Sequence, residues 1–233
     1  MSKTSQTLMN MYDAMRRRWG NQGWWPTTCG ADRPGNTPLE ICVGAILTQN
    51  TNWQNVEKAI RNLNAADCMS VLELHAKPQA ELAELIRPAG YFNVKAKRLK
   101  NFIAHVHEGF GDDIEAFLDR SVSTLRLELL SINGVGRETA DSIILYAAGK
   151  LSFVVDAYTH RILLRHGLIG PEDDYETIKD LFESSLPDDV ELWNDYHAQL
   201  VAVGKSFCRP AARCADCPLE EFPHDAEAGS SGY

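Results

Sequence analysis

The stretch Leu130-Ser-Ile-Asn-Gly-Val-Gly-Arg-Glu-Thr-Ala-Asp-Ser-Ile-Ile-Leu-Tyr146 decides how this chain folds. Gly134 and Gly136 stand one residue apart, directly before a run that reads as a helix from Arg137 to Ala148. That helix sets Ile143, Ile144 and Ala147 on one face and meets a C-capping glycine at Gly149. An apolar helix from Val122 to Leu130 precedes it, so the whole reads as helix–hairpin–helix. Freed from Cβ sterics, the amides of Gly134, Val135 and Gly136 turn toward one point. The helix N-terminus behind them adds unpaired N–H groups and the positive end of a dipole. Such a turn grips a nucleic-acid backbone phosphate, or it is a plain glycine-rich connection between packed helices. The apolar run Phe153-Val-Val-Asp156, which delivers one carboxylate about twenty residues beyond the hairpin, favours the first.

With 233 residues the chain can bury a sizeable core, as one large domain or two small lobes. No apolar run approaches transmembrane length, and residues 1–20 are amphipathic and charged, unlike a signal peptide. The sequence therefore predicts a cytoplasmic protein with no membrane partner. Its net charge of −9 is unevenly spread. Residues 1–100 sum to +5 and residues 101–233 to −14, and Arg87 to Lys100 holds five basic residues and no acidic one. Binding a polyanion needs a local basic face rather than a basic total.

No segment alternates with period two, so the expected fold class is all-α. Thr37-Pro38-Leu39-Glu40 carries an N-cap, a first-turn proline and a capping-box glutamate ahead of a helix that is apolar nearly all round. Thr51-x-x-Gln54 repeats the capping pattern for the next helix, and Asn93 is placed to cap a basic helix from Val94 to His107. Helices at Ala157 to His166, Asp174 to Leu186 and Val190 to Val203 complete the chain. Of six cysteines, Cys208, Cys214 and Cys217 cluster in a Cys-x5-Cys-x2-Cys run, which in a reducing compartment points to a metal or cluster site before disulfides.

Taken together these residues resemble the helix–hairpin–helix DNA glycosylases of the endonuclease III type. The resemblance rests on Leu47-Thr-Gln-Asn-Thr51, Ile86-x3-Gly90-Tyr-Phe-x2-Lys95-Ala96, the hairpin Ile132 to Ala140, Val154-Val-Asp156 and the cysteine run, in the family's order. It implies two helical lobes. One is a helical barrel with the hairpin, at 37–150. The other joins 1–36 to 151–218 and ends in the cysteine-rich loop, leaving 219–233 as a disordered tail. A DNA-binding cleft lies between the lobes. The expected partner is double-stranded DNA carrying a damaged base, bound by a monomer. Asp156 becomes the catalytic carboxylate, a role compatible with capping the helix that follows. Gln49, with Asn50 beside it, fills the gap left by an extruded nucleotide, while Gly134, Val135, Gly136, Arg137 and Thr139 meet the backbone.

Two departures from the family pattern sharpen the expectation. Bifunctional members carry a Schiff-base lysine after Gly-x-Gly-Arg; here Glu138 stands there, and a carboxylate forms no Schiff base. The expected enzyme is therefore a monofunctional glycosylase, with Lys150 and Lys205 as the lysines that could substitute for the missing one; the alternatives are an oxidised-pyrimidine glycosylase with AP-lyase activity and a non-catalytic helix–hairpin–helix module that only binds DNA. Trp24-Trp25-Pro26 together with Gly-Arg-Glu-Thr-Ala-Asp resembles the branch that removes alkylated purines such as 3-methyladenine, with Glu138 adding negative charge near the base. The pocket would be lined by Trp24, Trp25, Pro26 and Lys205; alternatively the tryptophans plug a long loop and Lys205 is a helix-end cation. The family's [4Fe-4S] cluster needs a fourth cysteine about five residues after Cys217, where Pro223 stands, followed by His224. Three thiolates leave a cluster with another ligand, a zinc ion or a relic as the options.

Overall fold

The computed structural model describes residues 2–26 and 37–229, and all regular structure in them is helical, with no strand. The α-helices are α1 Lys3–Trp19, α2 Pro38–Leu47, α3 Trp53–Ala65, α4 Val71–Ala76, α5 Gln79–Leu85 and α6 Phe92–Phe110. They continue with α7 Ile114–Leu118, α8 Val122–Ser131, α9 Arg137–Ser142, α10 Ala157–Arg165, α11 Tyr175–Ser185 and α12 Val190–Ser206. None of the described helices is long and apolar enough to cross a membrane.

The chain divides into two compact units, Trp25–Lys150 and Met1–Trp24 with Leu151–Tyr233. The first break falls between Trp24 and Trp25, earlier than the expected boundary at 37. Its physical cause is Trp25, whose ring lies against Gly44 of α2 and meets Trp53 and Tyr146 at centroid distances of 5.2 Å each. At the other end, residues 219–229 are not a loose tail. Leu219 is buried, the Asp225 amide donates to Arg165 O at 2.7 Å, and Arg165 Nε donates to Ala228 O at 3.2 Å. Residues 230–233 lie outside the described residues.

In the unit Trp25–Lys150, α2 is the axis. Every residue from Leu39 to Leu47 is buried, and α3, α6, α7 and α9 pack around it. Each large aliphatic so removed from water stabilises by about 1.5–3 kcal/mol before entropy is counted. Thr37 caps α2 as its sequence pattern predicts, its side chain accepting from the Glu40 amide. Two other caps differ from expectation. Asn52, not Thr51, caps α3 by accepting from the Asn55 amide, because its side chain is one residue closer to the first free N–H. Tyr91, in a left-handed conformation at φ 46°, begins α6, so Asn93 is already inside the helix.

The hairpin also departs from a plain α-helix. The α-helix from Arg137 stops at Ser142, and Ile143–Ala147 forms a π-helical turn closed by the Ala148 amide on Ile143 O at 3.0 Å. Gly149, at φ 62°, ends it. A bidentate ion pair fastens the two hairpin helices: Arg126 Nε to Asp141 Oδ1 at 2.8 Å and Nη2 to Oδ2 at 3.1 Å, with the Asp141 side chain wholly buried.

In the other unit, α1 packs on α12 through Tyr12 stacked on Tyr196 at 5.2 Å. The Tyr12 hydroxyl donates to Asp195 at 2.9 Å and that of Tyr196 to Leu8 O at 2.8 Å. Helix α10 lies on α12 at Gly204, where a Cβ would overlap the Tyr158 side chain, so only glycine permits this approach.

Candidate active site

Asp156 caps α10 in extended backbone (φ −110°, ψ 178°), and its side chain keeps only 12% of its surface exposed. Oδ1 accepts from the Thr159 amide at 2.7 Å and from the Thr159 hydroxyl at 2.9 Å. Oδ2 faces Nε2 of His197, on α12, at 3.7 Å. Burial by itself would raise the carboxyl's pKa, but the His197 interaction and the two Thr159 bonds outweigh it and hold the group below the ordinary aspartate value. The result is a mostly buried carboxylate that stays charged, with one oxygen anchored and the other left to interact.

Trp24 and Lys205 gather at the same place. The Trp24 indole meets His197 edge-on at 5.8 Å and 81°, and Lys205 Nζ lies 6.0 Å from the Trp24 ring centroid. Partial burial pulls the Lys205 ammonium below its ordinary value, against the opposing pull of Asp156. Trp25 turns elsewhere, into the aromatic group of Trp53 and Tyr146 in the other unit. Pro26 follows, partly exposed, as the last described residue before 37.

The hairpin residues form a second constellation. Gly134 takes φ 103°, open only to glycine without strain, and a Cβ there would overlap the Arg98 side chain. Gly136 needs no such freedom. It sits in extended backbone at the start of α9, with open space where a Cβ would project. Val135 is buried and anchors the turn, its amide donating to Ile132 O at 3.0 Å. Arg137 and Glu138 are exposed in the first turn of α9, and Thr139 is buried. Gln49 is tied to this turn. Its Nε2 donates to Gly134 O at 3.1 Å and Thr139 Oγ1 at 2.9 Å, while Arg98 donates to its Oε1. Both amide hydrogens and the carbonyl oxygen are thus engaged inside the protein. Asn50, next in sequence, is exposed and left-handed at φ 53°.

Cys208, Cys214 and Cys217 are free thiols lining one small cavity with Arg165, His166 and His224. Among the described residues no group of three or more His, Cys, Asp or Glu side chains is gathered in a geometry that holds a metal ion. The Arg165 guanidinium turns to Cys208 Sγ at 3.3 Å and to the carbonyls of Arg209 and Pro210 at 2.7 and 2.8 Å. Pro223, at the place of a fourth ligand, offers only its carbonyl, 3.0 Å from His166 Nδ1. Burial and the neighbouring cysteines push the Cys217 thiol up, away from the thiolate a metal requires. This donor set does not fit a four-thiolate cluster.

Thr159, His197 and Arg98 are absent from the sequence-derived site. Thr159 has a local signal, three residues after a capping aspartate, where a cap's partner amide falls. His197 lies about two helical turns before Lys205 on α12 and so shares its face, a signal legible only once Lys205 is suspected. Arg98 leaves no signal beyond the basic face of α6.

The chain is similar to known proteins. Residues 43–188 match the model of the HhH-GPD superfamily of base excision DNA repair proteins. A candidate DNA repair glycosylase of Methanocaldococcus jannaschii is 47% identical over 93% of this chain and 96% of its own. Endonuclease III of Thermotoga maritima is 30% identical over 78% of this chain and 81% of its own. Among solved structures, H. pylori 3-methyladenine DNA glycosylase bound to 1,N6-ethenoadenine superposes with a TM-score of 0.72 and 27% identity, over 88% of this chain and 98% of that one. The chain belongs to the HhH-GPD superfamily of base excision DNA repair proteins, and its fold is that of the endonuclease III-like glycosylases.

Proposed function

We propose that this chain is a monofunctional DNA glycosylase that hydrolyses the N-glycosidic bond of alkylated purines in duplex DNA, working as a monomer. The observation that carries the reading is Asp156, a largely buried carboxylate kept ionised, one oxygen bonded to Thr159 and the other facing His197. Loss of the base leaves an oxocarbenium-like sugar, which that oxygen stabilises while orienting water. Alkylated purines are electron-poor and often cationic, so aromatic faces bind them well. Trp24 stands beside Asp156's partner His197, which suits it to such a base. Glu138 supplies no amine, so strand cleavage does not follow base release.

The target base leaves the stack at a cost of roughly a few kcal/mol, less for a damaged base. The hairpin amides of Gly134, Val135 and Gly136, with Arg137, hold the flanking phosphate. The turn that carries Gln49 and Asn50 meets the duplex. Gln49, bonded to Gly134 and Thr139, stiffens it against the hairpin, and the exposed Asn50 is its leading residue. The relative from H. pylori, named for 3-methyladenine, supports the substrate class. No step needs an iron–sulfur cluster.

A second reading has its own observation. Lys205, with its pKa lowered and Asp156 within electrostatic reach, has the makings of a Schiff-base nucleophile, which would make the chain a glycosylase with AP-lyase activity on oxidised pyrimidines. Product analysis separates the two. Duplexes carrying 3-methyladenine or thymine glycol are incubated with the protein, then read with and without alkali and after borohydride. Free 3-methyladenine, breaks only after alkali and no trapped adduct are expected. Cleavage at thymine glycol with a trapped adduct that Lys205→Ala abolishes would establish the second reading instead.

A further inference from the structure

We propose that His197 is a positioning residue for Asp156: from α12 it fixes the unanchored carboxylate oxygen that faces the sugar, as Thr159 fixes the other. The proposal rests on the reading of Asp156 as the reacting carboxylate. Rotation about the last bond of an aspartate is soft, so donors on one oxygen leave the other free to swing. Thr159 supplies its two bonds to Oδ1 alone, and the ring across from Oδ2 is the His197 imidazole, Nε2 at 3.7 Å. That gap is longer than a hydrogen bond, as gaps between catalytic partners often are before substrate tightens them. The imidazole is itself held. His197 is 5% exposed, in the middle of α12, with the Trp24 indole against it edge-on.

The charge balance points the same way. Burial is the largest influence on Asp156 and favours the neutral acid; His197 is the largest influence opposing it. Other charged groups nearby have separate occupations. Lys205 of α12 faces Asp156 more weakly, and Asp195 of α12 is bonded to the Tyr12 hydroxyl of α1. On α10 itself, Arg161 and Arg165 donate to carbonyls of the C-terminal loop, and His160 interacts with Asp173. On α11, Lys179 pairs with Glu183. Without His197 the carboxyl therefore takes up its proton at higher pH, and base release fails from the acid side.

The test is single-turnover excision as a function of pH on whichever damaged duplex the wild type processes, with His197→Phe, His197→Gln and Asp156→Asn. Phenylalanine preserves the ring packed against Trp24 but has no N–H; glutamine restores a donor at similar reach. The expected result is a loss of roughly 10- to 100-fold for His197→Phe, the scale of a catalytic group misplaced by about 1 Å. Its acid limb moves up in pH, glutamine recovers most of the rate, and affinity for a duplex with an abasic analogue is unchanged. Wild-type rate and acid limb in His197→Phe, beside an inactive Asp156→Asn, would overturn the proposal alone. Equal losses in both histidine variants with an unmoved limb would also overturn it, leaving only packing. An active Asp156→Asn would overturn the reading of Asp156 and this proposal together.

Discussion

The hairpin and the Asp156 neighbourhood solve the same problem, holding a few polar groups still, by opposite means. The hairpin is built from residues close in sequence, Arg126 to Asp141, with Gln49 and Arg98 brought onto it. Its strength lies in backbone geometry and in a buried ion pair. The Asp156 neighbourhood draws single residues from distant places, Trp24, Asp156, Thr159, His197 and Lys205, and its strength lies in electrostatics. A region of the first kind should respond to substitution through stability, and one of the second kind through rate.

The sharpest probe of that contrast is Asp156→Asn. Asparagine keeps the shape and can still accept from Thr159, so folding is expected to hold within about 1 kcal/mol, the usual range for a retained cap. Base release should fall by on the order of 10³-fold, the scale on which preorganised charge stabilises a transition state. Thermal melts beside single-turnover assays would show it; a matching fall in stability would erase the distinction between the two regions. Acid should imitate the mutation. Asp156 has a folded pKa below its unfolded one, so its stabilising charge is present above the unfolded value, about 3.9, and lost as pH falls through the folded value. Excision limited by Asp156 should thus persist to mildly acid pH.

In the hairpin the largest effect is expected from Arg126→Met, which takes the bidentate guanidinium away from the buried Asp141 carboxylate. Losing one partner of such a pair costs about 3 kcal/mol, the lower end of the range because the Arg126 side chain keeps 21% of its surface exposed. Gly134→Ala comes next. It forces a Cβ into the Arg98 side chain at φ 103°, a conformation that costs roughly 1–3 kcal/mol for other residues. Gly136→Ala is its control, since that position is extended and open, and stability should barely change. Damaged-duplex affinity should fall in both glycine variants if the amides hold a phosphate. An effect on stability at Gly136 equal to that at Gly134 would refute the argument from φ.

The contrast also explains what the sequence could disclose. Gly134, the Thr37 cap and Asp156 before Ala157 are local devices, each readable from neighbours within about four residues. The all-helical class follows from periodicity in the same way. Trp24 and Trp25 defeat such reading: adjacent in sequence, they belong to different units. His197 reads as one more buried position of α12, because what distinguishes it is a carboxylate 41 positions earlier that only the tertiary fold brings near. Gln49 reads as a side chain free to enter DNA, since its bonds to Gly134 and Thr139 span 85 and 90 residues. Leu219 and Asp225 look like tail residues until Arg165 is seen beneath them.

The smallest effect is expected where neither kind of device depends on the side chain, at the cysteines. Arg165 already binds the carbonyls of Arg209, Pro210 and Ala228, and the Asp225 amide bonds the Arg165 carbonyl, so the C-terminal loop has a protein-only framework. Cys214, partly exposed, and Cys217, with its thiol pushed up by burial, then act as small packing groups. Cys214→Ser should leave excision unchanged and stability within about 0.5 kcal/mol, as for ordinary surface replacements. Iron analysis and absorbance near roughly 400 nm, where thiolate–iron charge transfer falls, should give nothing in anaerobically purified protein. A brown protein that loses iron and excision together on Cys214→Ser would mean that three thiolates do hold a cluster here. The loop would then depend on a metal as the Asp156 neighbourhood depends on charge, and the framework around Arg165 would be a consequence of that metal instead of its replacement.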